Sequence, residues 1–165
     1  MEVRAEISYP TGSADDVFAM AVDKDFRVAV CEATAAVDHR VDIDLGPDGG
    51  ATVTVERTVP ADVPDVVRSF VGQTITVVQT EAWGPRRPDG SRVADLRISV
   101  KGQPATMKGT QSLEPVGAGT RQLIRGDLTV SIPFIGKRIE PELAKAIVAA
   151  AAKEQQTGTA WLAAR

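Results

Sequence analysis

The order of its sequence patterns is what most constrains how this chain of 165 residues can fold. Apolar and polar residues alternate from about residue 37 to about residue 132, as in Val37–Leu45, where four charged side chains are interleaved. The period then becomes helical, with apolar residues at Ile139, Leu143 and Ile147. Strict alternation indicates half-buried strands, whereas spacings of three and four indicate an amphipathic helix. The chain is therefore predicted to form a long run of strands followed by one long C-terminal helix.

The N-terminal residues add one strand and two short helices to this order. Glu2–Tyr9 alternates and predicts strand 1. Ser13 and Asp16 have the spacing of a capping box, and a second helical pattern follows within Asp23–Thr34. Connections short enough for hairpins favour antiparallel pairing. We expect an α+β fold in a single domain over residues 1–165: a seven-stranded antiparallel β-sheet curved around a long C-terminal α-helix, with two short helices after strand 1.

Composition narrows the classes of partner and the compartment. A net charge of -3 and a pI near 5.2 argue against a nucleic-acid binder, which usually has a basic face. The longest wholly apolar stretch, Ala146–Ala152, is too short to span a bilayer, so no stable membrane insertion is expected, and no secretory signal is recognised. Cys31 is the only cysteine, which suits the reducing cytoplasm. With one cysteine and one histidine, we expect no metal site, and we expect no cofactor.

The first hairpin predicts which inward side chains face each other. A turn around Gly46–Gly50 places Leu45 opposite Ala51, and the same register places His39 opposite Arg57. Arg57 and Glu81 lie on strands that should be neighbours. Because a buried charge needs a partner, these two side chains are expected either to form a salt bridge or to provide the polar end of a pocket, orienting a hydroxyl or carboxylate group of a ligand.

Three segments carry a resemblance to a known group of proteins. They are Asp23–Ala33 as the second short helix, Glu81–Trp83 closing a middle strand, and Ile132–Glu140 leading into the last helix. With the element order, they make the chain resemble START-like, helix-grip proteins of the SRPBCC superfamily, which includes birch-pollen-allergen-like proteins and polyketide cyclases. It is most similar to an uncharacterised, mainly actinobacterial family within that superfamily. The resemblance implies a cavity between sheet and helix that binds hydrophobic molecules.

The candidate ligand-binding residues are those at inward positions on the strands and at the centre of the last helix. That helix is rich in alanine, which either leaves volume for a ligand or simply reflects the high helix propensity of alanine. The predicted set comprises His39, Val41, Arg57, Val77, Gln79, Glu81, Leu96, Ile98, Met107, Gln111, Leu128, Ala150 and Ala151. The helical turns at Pro64–Val71 are predicted to gate one opening of the cavity.

No catalytic motif accompanies this set. The chain has no Gly-x-Ser-x-Gly elbow and no phosphate-binding glycine loop, so no catalytic residue is predicted. We expect non-covalent binding or carrying of a small hydrophobic molecule that is lipid-, isoprenoid- or polyketide-like. Two alternatives stay open: a cyclase or aromatase acting on a polyketide-like substrate, and an interaction module with a filled core.

Overall fold

The computed structural model describes residues 1–165 and contains seven strands and four helices. The strands are β1 (Glu2–Tyr9), β2 (Asp38–Leu45), β3 (Ala51–Pro60), β4 (Thr74–Trp83), β5 (Arg92–Val100), β6 (Ala105–Val116) and β7 (Gly119–Val130). The helices are α1 (Ala14–Ala21), α2 (Lys24–Ala33), α3 (Asp65–Val71) and α4 (Gly136–Ala163). The predicted order of elements and the helix-grip fold are therefore confirmed.

All seven strands form one antiparallel sheet in the order β1-β7-β6-β5-β4-β3-β2. Strands β2 to β7 are sequential neighbours, and α1 and α2 carry the chain from β1 at one edge to β2 at the other. The predicted register of the first hairpin is correct, since Leu45 pairs with Ala51 and His39 pairs with Arg57. A hairpin loop fixes the register of the strands that it joins, which is why this pairing is readable from sequence.

The helices pack on the concave face of the sheet. Helix α4 comes closest to β1, β7 and α2. Its inward side chains Leu143, Ala144 and Ala151 are buried, while Ile147 and Ala150 are half-buried. The helix thus seals one side of the sheet more tightly than the other, and this asymmetry positions the candidate site.

Glycines allow the close approaches that this arrangement needs. Gly109 pairs with Gly126 across β6 and β7, and a Cβ at Gly109 would lie 1.8 Å from the carbonyl oxygen of Arg125. A Cβ at Gly158 of α4 would lie 2.4 Å from the hydroxyl oxygen of Tyr9. Gly158 therefore lets α4 lie directly on the Tyr9 ring.

Candidate functional site

A buried polar cluster lies between α2 and the concave face of β4. The Arg27 guanidinium donates from Nη1 to Glu81 Oε1 at 3.0 Å and from Nη2 to Glu81 Oε2 at 2.7 Å. Gln79 Nε2 and Trp83 Nε1 also donate to the Glu81 carboxylate, at 2.7 and 2.8 Å, and Arg27 Nε donates to the carbonyl of Ala21. Arg27 and Glu81 are 3% and 0% exposed. The two charges are therefore fully satisfied within the protein, as buried ions must be.

The predicted salt bridge between Arg57 and Glu81 is wrong, because Arg27 holds the carboxylate instead. In the register of β3 and β4, Glu81 lies opposite Val53, whereas Arg57 lies opposite Val77. Four residues along a strand separate the two side chains by about 13 Å, which is beyond the reach of a guanidinium. The residue missed by sequence analysis is Arg27. Helical periodicity marked the apolar side of α2 but not a cation reaching inward beside it.

Arg57 consequently has no carboxylate partner. Its side chain is half-buried on the concave face, and its guanidinium makes no ion pair or hydrogen bond with another residue. Burial lowers the pKa of Arg57, an effect opposed by Cys31 of α2 and Glu154 of α4 and reinforced by Arg27. Arg57 thus extends into the space bounded by the sheet, α2 and α4 with unused hydrogen-bond donors.

A second ionisable group, Glu154, reaches the same space from α4. Gln122 Nε2 of β7 donates to Glu154 Oε1 at 3.2 Å, and the Tyr9 hydroxyl donates to the Glu154 backbone carbonyl at 3.4 Å. Burial raises the pKa of Glu154, Arg27 opposes that rise, and the nearby Glu81 carboxylate adds to it. Burial also raises the pKa of Tyr9. Glu154 was not predicted as a site residue, because the sequence shows it only as one of several polar residues on a long helix.

An apolar surface continues from these polar groups along the central strands. Because α4 comes closest to β1, β7 and α2, the inward side chains of β3, β4 and β5 are less completely covered. Five of them remain half-buried although they face the helices: Val59, Ile75, Val77, Ile98 and Val100. Ile147 and Ala150 lie on the same stripe of α4 as Leu143 and Glu154 and are also half-buried. Arg57 lies among these apolar side chains, directly opposite Val77, and Glu154 lies near Arg57 from the side of α4.

Helix α3 borders a hollow against the beginning of α4. This hollow has a volume of about 180 Å³ and is lined by Pro64, Val66, Val67, Ile135, Arg138, Ile139 and Glu142. Val66 and Phe70 of α3 are exposed. A larger surface hollow of about 400 Å³ follows the connection Val130–Lys137 between β7 and α4. The α3 hollow lies where the sequence placed a gate, and the gating role itself stays a prediction.

The thirteen predicted ligand-binding residues fall into three groups by exposure. Buried residues are Val41, Glu81, Leu96, Met107, Gln111, Leu128 and Ala151. Half-buried residues are Arg57, Val77, Gln79, Ile98 and Ala150. His39 alone is exposed, because it lies on the edge strand β2 beyond the cover of the helices. Contact of any of them with a ligand stays a prediction.

Exposure changes what these residues can do. Glu81 and Gln79 are engaged in the buried cluster, and Met107 is 0% exposed within the core. Gln111 is 2% exposed and its Oε1 has no hydrogen-bond partner. The half-buried residues are the ones that a molecule could reach without displacing core side chains.

Three further features bear on the candidate site. No group of three or more His, Cys, Asp or Glu side chains is arranged to hold a metal ion. Burial raises the pKa of Cys31, an effect that Arg57 and Arg27 oppose, so its thiol is a poor nucleophile. No helix is both long enough and apolar enough to cross a membrane.

Comparison with known proteins identifies one family and several solved structures of the same fold. The family described as "Protein of unknown function (DUF2505)" matches residues 4–162. An uncharacterised protein of Mycobacterium tuberculosis (strain ATCC 25618 / H37Rv) is 25% identical over 159 residues, covering 92% of this chain and 91% of the relative.

Among solved structures, the Zhui aromatase/cyclase from Streptomyces sp. R1128 superimposes with a TM-score of 0.63 at 13% identity, covering 95% of this chain and 90% of that one. A STAR-related lipid transfer protein from Xanthomonas axonopodis gives 0.51 at 16% identity, covering 93% and 83%. The predicted resemblance to START-like and polyketide-cyclase-like proteins is confirmed at the level of fold.

Proposed function

The chain belongs to the DUF2505 family, and from its fold and the geometry of its site we propose that it binds a small hydrophobic molecule, without covalent chemistry, between the sheet and α4. The observation that carries this proposal is the row of half-buried apolar side chains on β3, β4 and β5, with Val77 and Ile98 at its centre. These side chains face the helices but are incompletely covered by them. Binding sites for small molecules are typically apolar with a few polar groups, and Arg57 and Glu154 supply such groups here.

Two of the solved structures with the same fold support this proposal by the functions that their names describe. One is named a STAR-related lipid transfer protein and another is named an aromatase/cyclase, so this fold occurs in a protein named for the transfer of an apolar molecule. Fold alone does not determine function, which is why the proposal rests on the exposure of this chain's own residues. A lipid-, isoprenoid- or polyketide-like molecule fits an apolar surface that contains one cation and one carboxyl group.

The test combines a co-purification with an engineered obstruction. Native mass spectrometry of protein purified from its own host is expected to show a bound lipid-like mass. Binding of an apolar fluorescent probe to recombinant protein is then compared between the parent and Ala150→Phe, since Ala150 lies between Ile147 and Glu154 on the inward stripe of α4. We expect the variant to fold and to lose probe binding.

The matched control is Ala149→Phe, one position along on the exposed side of α4, which should bind as the parent does. Ala151 is a poor place for the same test because it is buried at 6% exposure, and a phenylalanine there would overpack the core. If Ala150→Phe folds and binds the probe as tightly as the parent, the proposed site is wrong, and the interaction module with a filled core becomes the better interpretation.

A cyclase-type activity is the second candidate, and one observation favours it. Glu154 has a raised pKa and shares its space with a cation, Arg57, that has no partner. A carboxylate with a raised pKa is a better general base near neutral pH, and a nearby guanidinium can stabilise an enolate oxygen. Glu154 would take the proton from the carbon between two carbonyl groups, and the resulting enolate would lie against Arg57.

This activity has a direct measurement. Exchange of that proton for deuterium in a long-chain 1,3-diketone, followed by NMR, should be faster with the protein than in buffer alone. Glu154→Gln should abolish the acceleration while leaving diketone binding intact. Exchange at the buffer rate with the parent protein bound to the diketone would exclude the cyclase-type alternative in this form.

A further inference from the structure

The two ionisable groups of the proposed site, Arg57 and Glu154, have hydrogen-bonding capacity that the buried Arg27–Glu81 cluster lacks. Arg27 and Glu81 neutralise each other through two hydrogen bonds, and two more donors complete the Glu81 carboxylate. The Arg27–Glu81 cluster therefore has no free charge to offer to a ligand. Arg57, by contrast, is half-buried and has no hydrogen-bonded partner in the protein. Its nitrogen atoms are therefore free to donate hydrogen bonds to a bound molecule, and a guanidinium covered by a ligand needs an anion or several acceptors to satisfy it.

Among the charged groups that face Arg57, Glu154 is the other one with unused hydrogen-bonding capacity. Its Oε1 accepts one hydrogen bond from Gln122, and its Oε2 has no partner. The groups that face it are Arg27 from α2, Arg57 from β3, Glu81 from β4, and Tyr9 and Gln122 from β1 and β7. In its protonated form Glu154 can donate a hydrogen bond to an anion, and in its ionised form it repels one.

We infer that Arg57 and Glu154 select a ligand that ends in a carboxylate, so that the bound molecule is an apolar acid rather than an alcohol or a hydrocarbon. This inference rests on the proposed function, since it concerns the polar groups of the same site. The planar fork of Arg57 suits the two oxygens of a carboxylate. The half-buried apolar side chains Val77 and Ile98 lie beside Arg57 on β4 and β5 and suit an alkyl or aromatic body.

Two consequences distinguish this role from a merely structural one. Arg57 stabilises no partner in the protein, so replacing it by glutamine should leave the unfolding midpoint unchanged or raise it. Protonated Glu154 assists carboxylate binding and ionised Glu154 opposes it. The affinity for a carboxylate should therefore fall as the pH rises through the raised pKa of Glu154, and the affinity for an uncharged ligand should not.

The experiment compares decanoic acid with 1-decanol, which share their chain length and differ in the terminal group. Affinities are measured by calorimetry on the full chain for the parent, Arg57→Gln and Arg97→Gln, between pH 6 and pH 9. Arg97 is the matched control, an exposed arginine on the outward face of β5. We expect Arg57→Gln to weaken decanoate about tenfold or more, because a charge-assisted hydrogen-bond pair is lost, and to leave decanol unchanged.

Glu154→Gln is expected to bind decanoate with an affinity that no longer depends on pH over this range. Should Arg57→Gln fail to fold, Arg57→Lys makes the same comparison, because lysine keeps the charge and loses the fork, so decanoate should weaken relative to decanol.

The outcomes separate this inference from the proposed function. If decanol and decanoate both bind the parent and Arg57→Gln weakens neither, the acid selectivity is wrong while the proposed function stands. If neither compound binds the parent, the proposed function is wrong, and the inference that rests on it is wrong as well. Loss of decanoate binding in Arg97→Gln as well would also overturn the role of Arg57, because it would show an unspecific effect of charge.

Discussion

At the scale of single residues, four ionisable side chains lie between the sheet and the helices. Three of them have hydrogen-bond partners in the protein, and the fourth, Arg57, has none. Arg27 and Glu81 are buried together, and Glu154 accepts a hydrogen bond from Gln122. Arg57 has the same chemistry as Arg27 but lies too far along β3 to reach Glu81. Partner geometry therefore separates a structural cation from one that is free to meet a ligand.

Removing the carboxylate of Glu81 should be severely destabilising. Glu81→Gln leaves the Arg27 charge buried without its counter-ion, which typically costs about 3 to 5 kcal/mol and is a large part of the stability of a domain. Urea unfolding measures the change. The control is Glu56→Gln, which removes a carboxylate from a partly exposed pair with Lys101 and should cost about 1 kcal/mol or less. Equal midpoints for the two variants would contradict the structural role assigned to Glu81.

Glu154 should make the protein less stable as the pH rises. Its pKa in the folded chain is raised above the ordinary value of about 4.5, so folding favours the protonated form. The stabilising contribution is fully present below the ordinary pKa and is lost as the pH rises through the folded value. Thermal unfolding between pH 4 and pH 9 should show this decline in the parent and a smaller decline in Glu154→Gln. Parallel curves for the two proteins would show that Glu154 is not the responsible group.

At the scale of the elements, α4 has two kinds of inward position. Leu143 is buried at 6% exposure, whereas Ile147 one turn later is half-buried. Leu143→Asp places an unpaired carboxylate in the core at a cost on the order of several kcal/mol, and should unfold the protein. Ile147→Asp should lower the melting temperature less, and Val148→Asp at an exposed position should hardly change it. If the three variants do not lower the melting temperature in this order, the described packing of α4 on the sheet is wrong.

Contact between α4 and β1 gives a second test at this scale. Gly158→Ala should destabilise the protein although alanine is the better helix former, by about 1 kcal/mol in an exposed helix. The added Cβ would meet the buried Tyr9 ring, and overpacking of this kind costs about 1 to 3 kcal/mol. The exposed neighbour Thr159→Ala should instead be neutral or slightly stabilising. A stabilised Gly158→Ala would show that α4 does not lie on Tyr9 as described.

These elements also show how far sequence reasoning reaches. Alternation along β1 correctly predicts that Val3, Ala5 and Ile7 share a buried face with Tyr9, since pleating fixes the face at period two. The hairpin register was likewise predictable because its loop is short. The pairing of Glu81 with Arg27 was not, because it joins a helix to a strand 54 residues away. No local period specifies how a helix is rotated on a sheet.

At the scale of the whole molecule, the sheet is unevenly covered, and the candidate site follows from that. Helix α4 packs toward β1 and β7, and inward side chains of β3 to β5 such as Val77 and Ile98 stay half-buried. Sequence alternation identified the concave residues but did not show which of them the helix covers. Coverage depends on the position of α4 across the sheet, and that position is set by buried contacts such as Gly158 with Tyr9.

Uneven coverage predicts where a ligand should change the dynamics of the protein. In the free protein, amides of β1, β6 and β7 should exchange slowly, because they lie under the helix or within the sheet. Amides of α3 and of the adjoining ends of β3 and β4 should exchange faster, because Val66 and Phe70 are exposed and few core side chains hold this segment. Adding decanoic acid should protect α3 and these strand ends, and hardly change β1 and β7.

Hydrogen exchange followed by mass spectrometry measures each segment. The control is Ala150→Phe, in which the site is obstructed, and it should show no added protection. Equal protection of α3 and the central strands in the free protein, unchanged by decanoic acid that calorimetry shows to be bound, would mean that α3 is a fixed part of the scaffold and that the ligand enters elsewhere.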